Sequence, residues 1–194
     1  MKKICLFLII STTLSFSQKR DMELKVNLLS FFPKGGFGLA VETPFRKQQS
    51  IVISGAFGNQ SFSEQSGDYK YYRTLLLEYR IATAALNEKN FVLFGGPYFR
   101  HKYIDWKYTD PYTGWFSFGP GTKSVEASSV SVGLSAGVKT KLTKKVILEV
   151  KGGLGYMNRY DINDFYKYSY LDSETIDLVM GISLGINMEA KTKK

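Results

Sequence analysis

The sequence predicts an all-β fold: one eight-stranded, antiparallel, up-and-down transmembrane β-barrel with a polar, plugged interior. Three observations predict it. From Met22 onward the apolar residues recur at every second position, the period of a strand rather than a helix. The runs number eight, and most reach the roughly 9–11 residues that a tilted strand needs to cross a bilayer, where soluble strands average about five or six. The connections on one side are short and charged, and those on the other are mostly longer.

Composition narrows the alternatives. The chain has 194 residues, 44% hydrophobic and 22% charged, which is too apolar for disorder and too charged for a bundle of membrane helices. Gly 18, Tyr 13 and Phe 14 suit β-structure. A single Cys excludes a disulfide scaffold and a Cys-based zinc site, and a single His removes most His-based metal and catalytic constellations. No cofactor or metal is expected.

Residues 1–17 read as a secretory signal peptide. Met1-Lys2-Lys3 is a basic start, Ile4 to Ile10 is an apolar core too short to span a bilayer, and Ser15 and Ser17 offer small residues before a cut near Gln18. Cys5 sits inside that core rather than at its end, which argues against lipidation. Removing Lys2 and Lys3 lowers the net charge from +9 to +7. The barrel domain is expected over residues 22–188, with a polar tail at 189–194.

The eight runs follow in order. Met22 to Phe32 places Leu24, Val26 and Leu28 opposite Lys25 and Asn27. Gly36 to Pro44 sets Phe37, Leu39 and Val41 against Gly38, Ala40 and Glu42. Ser50 to Phe62 sets Ile51, Ile53 and Phe57 against Ser54, Ala56 and Gly58. In Lys70 to Ala84, Leu75, Leu77, Tyr79 and Ile81 oppose Thr74, Glu78 and Arg80, with Leu76 interrupting the polar row. Phe91 to Trp106 is apolar on both faces at first, so its phase is open. Ser124 to Leu142 carries Val130, Val132, Leu134, Ala136 and Val138 on one face and Ser or Gly on the other. Val146 to Arg159 opposes Leu148, Val150, Leu154 and Tyr156 to Glu149, Lys151, Gly153 and Gly155. Thr175 to Met188 ends in an aliphatic ladder from Ile176 to Met188, opposite Asp177, Gly181, Ser183, Gly185 and Asn187.

Tight turns are expected at Arg46–Gln49, Asn87–Asn90 and Thr143–Lys145, and longer loops at Ser63–Tyr69, Lys107–Lys123 and Tyr160–Glu174. Pro33-Lys34-Gly35 is short on the long-loop side. In a membrane barrel the apolar face looks at lipid and the polar face lines the lumen. The polar face here carries Lys25, Glu42, Glu78, Arg80, Lys139, Glu149, Lys151 and Asp177. Both signs on non-adjacent strands predict a paired interior plug, because a lone buried charge is costly. Tyr69, Tyr71, Tyr72, Tyr98, Phe99, Tyr103, Trp106, Tyr156 and Tyr160 gather near the long-loop ends, where an interfacial girdle belongs.

These features resemble the small eight-stranded outer-membrane barrels of the OmpA/OmpX type. Leu24-Lys25-Val26-Asn27-Leu28-Leu29-Ser30 and Gly38-Leu39-Ala40-Val41-Glu42 are similar to openings of uncharacterised small barrels of Bacteroidota. The resemblance covers Leu24 to Met188 and implies a monomer in the cell outer membrane. Such barrels commonly end on an aromatic residue, whereas Met188 here is followed by Glu189-Ala190-Lys191-Thr192-Lys193-Lys194.

Candidate sites are few. Arg73, Arg100, Lys102 and Arg159 fall near the long-loop ends and are candidates to meet the phosphates of lipopolysaccharide by charge-assisted hydrogen bonds. His101 is the one histidine, and some barrels of this class that modify lipid A pair a His with a Ser; Glu126, Ser128 and Ser129 are the groups available to it. Asp161, Asn163 and Asp164 offer oxygen ligands for calcium without the spacing of a dedicated loop. Gly152-Gly153-Leu154-Gly155 lies within a strand pattern, so it is not a nucleotide-binding turn. Export and dispersed basic residues argue against nucleic acid. The expectation is a non-enzymatic outer-membrane protein that anchors extracellular loops for surface interaction with an unknown partner. Two other readings stand beside it: a lipid-modifying barrel enzyme using His101, and a soluble lipocalin-like barrel whose aliphatic face lines a cavity for an apolar ligand.

Overall fold

Eight strands pair in chain order and the last closes on the first. They are β1 (Met22–Asn27), β2 (Phe37–Arg46), β3 (Gln49–Ser61), β4 (Tyr69–Ala82), β5 (Phe91–Asp110), β6 (Gly121–Lys141), β7 (Val146–Tyr160) and β8 (Ile176–Met188). All ladders are antiparallel, including the β1–β8 seam from Met22↔Met188 to Asn27↔Ser183. This computed structural model describes residues 22–31, 36–61, 69–84, 90–110, 121–160 and 175–188. The expected signal peptide at 1–17, the tail at 189–194 and the candidate oxygen ligands Asp161, Asn163 and Asp164 lie outside the described residues.

Most strand ends fall within a few residues of the expected ones, and the larger differences have local causes. The first run does not stay extended to Phe32: β1 stops at Asn27, and Leu28–Phe31 form a 3-10 turn. The Asn27 side-chain oxygen accepts the backbone N–H of Leu29 at 3.1 Å, a local bond that competes with strand pairing and bends the chain. Both ends of the connection expected at Lys107–Lys123 are strand, because the β5–β6 ladder runs on from Lys107↔Ser124 to Asp110↔Gly121. On the short side, the β2–β3 turn is two residues, and Thr143 Oγ1 accepts the N–H of Lys145 at 3.3 Å and of Val146 at 3.0 Å to fold the β6–β7 turn.

The ring is staggered. From Tyr156, cross-strand partners run through Val132, Phe99, Leu77, Ile53, Val41 and Leu24 back to β8 at Ile186, yet Tyr156 pairs directly with Ile176 on that strand. In an eight-stranded ring a shear of this kind goes with strands tilted by about 35–45°. The 13 residues of β8, at roughly 3.3 Å each along a strand so tilted, rise about 30 Å, the thickness of a hydrocarbon core.

Burial decides which face is which. Leu134 is 69% exposed, Leu178 60%, and Ile53, Leu75, Leu77, Leu154 and Met180 share the same outer surface. Glu78, Arg80, Lys25, Glu149 and Asp177 are buried inside, with Arg80 only 1% exposed. A lipocalin-like barrel has the reverse arrangement, so the aliphatic rows do not line a cavity. The open phase of β5 resolves with Phe91, Leu93 and Phe99 outward and Val92, Phe94 and Tyr98 inward.

The two faces are not equally crowded. Tyr98 reaches the β6–β7 wall where both facing residues are glycine. A Cβ on Gly155 would lie 2.5 Å from the Tyr98 hydroxyl, and one on Gly133 would lie 2.7 Å from the ring. The two glycines therefore make room for a ring that, with Leu76 and Val179, forms the one apolar cluster of buried side chains described inside the barrel. Leu76, which interrupts the polar row in the sequence, packs there.

Candidate functional site: the lumenal charge network and the loop-side surface

The turn-side half of the lumen is filled by charge. β1 contributes Glu23 and Lys25, β2 Glu42, β4 Glu78 and Arg80, β6 Lys139, and β7 Glu149 and Lys151. Strand alternation aims all of them inward, and the four carboxylates balance the four cations. Arg80 is the hub. Its guanidinium donates to Glu42 at 2.9 Å, to both oxygens of Glu149 at 2.9 Å, and to Glu78 at 2.6 Å. Its flat face lies 4.2 Å from the centre of the Phe94 ring, a cation–π contact. Lys25 binds Glu42 at 2.5 Å, Glu23 at 3.0 Å, and Glu149. Lys139 bridges Glu23 at 3.0 Å and Glu42 at 2.5 Å, and Lys151 donates to Glu78 at 2.6 Å. Ser50 and Ser135 complete the carboxylates, donating to Glu42 at 2.6 Å and Glu78 at 2.7 Å.

Such a network is costly to desolvate and costly to break. Removing one member strands a charge that has neither water nor a partner. It links strands through side chains, over and above the ladders, and it closes the lumen at this level. The paired plug read from the sequence is present, with Glu23 as a member the sequence did not single out. Glu23 shares the phase of Lys25 two residues on, and that alternation is the signal that would have found it.

On the loop side of the Leu76–Tyr98–Val179 layer sits a second pair. Arg100 is ion-paired with Asp177, and the Tyr98 hydroxyl donates to Asp177 at 2.9 Å. The structure thus separates the four basic candidates. Arg100 points into the lumen. Lys102 and Arg159 both face Ser129, which is buried, so they too are on the inner face. Arg73 alone is on the outside, exposed between Phe57 and Tyr103. The four candidates near the loop ends therefore do not share one face, because proximity to a loop in sequence does not fix the phase of the strand. The same reason corrects two girdle aromatics. Tyr98 is lumenal, and Tyr72 shares its inward phase, while Tyr71, Phe99, Tyr156 and Tyr160 are exposed outside. The side chains of Tyr69 and Trp106 lie outside the described residues.

His101 is outward, and its Nε2 lies 2.8 Å from the Tyr160 hydroxyl. Ser129 faces the lumen, its hydroxyl donating to the Lys102 carbonyl at 3.4 Å, so the barrel wall separates it from His101. Outside, Phe57, Tyr71, Arg73, Leu75, His101 and Tyr103 border a groove of about 920 Å3 on β3–β5. Among the described residues no group of three or more His, Cys, Asp or Glu is placed to hold a metal ion.

A closed ring of eight antiparallel strands, aliphatic outside and ion-paired inside, defines the class of small outer-membrane-type barrels. Within that class the chain belongs to the family described as "Protein of unknown function (DUF3575)", whose profile matches residues 4–185. Among solved structures, a major outer membrane protein from Thermus thermophilus superposes with a TM-score of 0.53 at 14% identity, covering 87% of this chain and all (100%) of that one. The N-terminal β-barrel domain of Pseudomonas aeruginosa OprF gives 0.43 at 11% identity, covering 89% and 100% of the two chains. Neisserial surface protein A gives 0.46 at 10% identity, covering 88% and 94%. At these identities the likeness concerns the fold. No curated protein matches the sequence.

Proposed function

We propose that the protein is a non-enzymatic barrel of the cell outer membrane that anchors its loop-side segments at the cell surface for interaction. The observation that carries this reading is the inversion of polarity: an exposed aliphatic exterior around a lumen closed by a neutral, ion-paired plug. In water such an exterior would drive aggregation, whereas in lipid it is the ground state. The interior leaves no wide channel at the level of Arg80, so its stability serves the scaffold rather than bulk transport. Segments 62–68, 111–120 and 161–174 join strands on the same end and are the parts the scaffold presents. The experiment is cell fractionation with gel mobility before and after boiling. The protein should partition with the outer membrane and migrate faster unboiled; a soluble band with no boiling shift would overturn the reading.

We also propose that the outer groove around Arg73 meets a lipid phosphate, such as that of lipopolysaccharide, with Tyr71, His101 and Tyr103 at the interfacial level. Arg73 is the one basic candidate that faces outward, which supports this narrower contact. Arg73→Glu should reduce co-purified lipopolysaccharide several-fold, and unchanged retention would end the proposal.

A further inference from the structure

The plug is neutral in sum but not in direction. Above it, the lumen holds a cavity of about 260 Å3. Lys25, Arg80 and Lys151 of the plug reach its wall, as do Arg100 and Lys102 from β5. Of the carboxylates paired with Lys25, Arg80, Lys151 and Arg100, Glu149 alone lines the cavity; Glu23, Glu42, Glu78 and Asp177 approach their partners from elsewhere. Among the described residues, five cations and one carboxylate thus line it. Ser54, Thr74 and Tyr72 add hydroxyls to its lining. The Nε atoms of Arg80 and Arg100 are buried with no protein hydrogen-bond partner.

We propose that this lumenal cavity is a binding site for a small oxyanion of the phosphate class. A concavity lined mainly by one sign of charge focuses its field and concentrates counter-ions. The buried Nε–H groups of Arg80 and Arg100, left without a protein acceptor, beside these hydroxyls suit the acceptor set of an oxyanion, and such charge-assisted bonds are about twice as strong as neutral ones. The volume suits the choice: a water molecule accounts for about 30 Å3 of liquid, so the cavity takes a phosphate with several waters and excludes large organic anions. Because Lys25, Arg80 and Lys151 are fixed by the carboxylates behind them, the site is ordered before the anion arrives.

The test uses the full chain refolded in detergent micelles and titrated with inorganic phosphate, followed by phosphorus NMR and calorimetry, with folding of every variant confirmed by its boiling-dependent gel shift. The folded protein should bind phosphate saturably. Lys102→Gln should weaken binding at least tenfold. Ser54→Phe, which fills the cavity without changing a charge, should abolish it. Lys144→Gln, in the exposed β6–β7 turn, should leave it unchanged. Absence of saturable binding by the folded protein overturns the proposal, as does equal affinity in Lys102→Gln, or loss caused by Lys144→Gln, which would place the anion outside. A barrel that folds and fractionates normally but ignores phosphate defeats this inference alone and leaves the surface-anchor reading standing.

Discussion

Replacing Arg80 with Met should be among the most damaging single changes in the barrel. Met keeps much of the aliphatic volume but removes the guanidinium that joins Glu42, Glu78 and Glu149 at 2.6–2.9 Å. Four buried carboxylates then face three lysines. Breaking a buried ionic network by deleting one partner costs about 3–5 kcal/mol. At 1.4 kcal/mol per factor of ten, the middle of that range is roughly a thousand-fold in the folding equilibrium. The loss of the contact with Phe94 adds about 0.5–2 kcal/mol. A second change separates charge balance from packing: Arg80→Met with Glu149→Met restores neutrality, so the pair should cost less than the sum of the singles by about 0.5–3 kcal/mol. The assay is urea unfolding in lipid vesicles, read by Trp fluorescence and by the fraction of unboiled fast-migrating band. Arg80→Met within about 0.5 kcal/mol of wild type, or strict additivity of the double change, would refute the view that the lumen is held by a coupled network.

Further outcomes follow from other parts of the wall. Gly155→Val should destabilise by about 1–3 kcal/mol through collision with Tyr98, and Tyr98→Ala in the same chain should recover part of the loss in urea midpoint. Leu134→Lys, in the aliphatic exterior, should cost up to about 2–4 kcal/mol in vesicles, while Leu134→Ala should leave the fold membrane-bound. Thr143→Ala removes the acceptor of two turn N–H groups and should cost about 0.5–1.5 kcal/mol per bond lost, read as an earlier unfolding midpoint.

Strand number, order and facing were legible in the sequence because period-two alternation leaves little freedom once one face is aliphatic. The ladders Ile176–Met188 and Val130–Val138 carried that information with almost no exceptions. The plug was legible as a set of inward charges, and its actual pairings were not, since Lys139 to Glu23 or Arg80 to Glu149 depend on the stagger of the ring. Arg100 and Lys102 had no face assigned by the sequence for a related reason. β5 begins apolar on both faces, so its phase is set by cross-strand partners such as Leu77↔Phe99 rather than by its own residues. The turn at Leu28–Phe31 was hidden because Asn27 acts through a local hydrogen bond that hydrophobic periodicity does not register.

The seam between β1 and β8 bears on the order of events during assembly. It joins Met22 to Met188 across nearly the whole described chain, through a first strand of only six residues. Contacts so distant in sequence carry the largest loop-closure entropy and form late. β1 brings one charge of each sign to the lumen, Glu23 and Lys25. The seven strands that remain without it hold three carboxylates and three cations in the plug. The plug of the open sheet is thus balanced in number before closure and stays so afterwards. Zipping the seam adds no net charge to it, while Glu42 and Glu149 gain Lys25 only once β1 docks, so closing the ring and completing the ion pairs are one event.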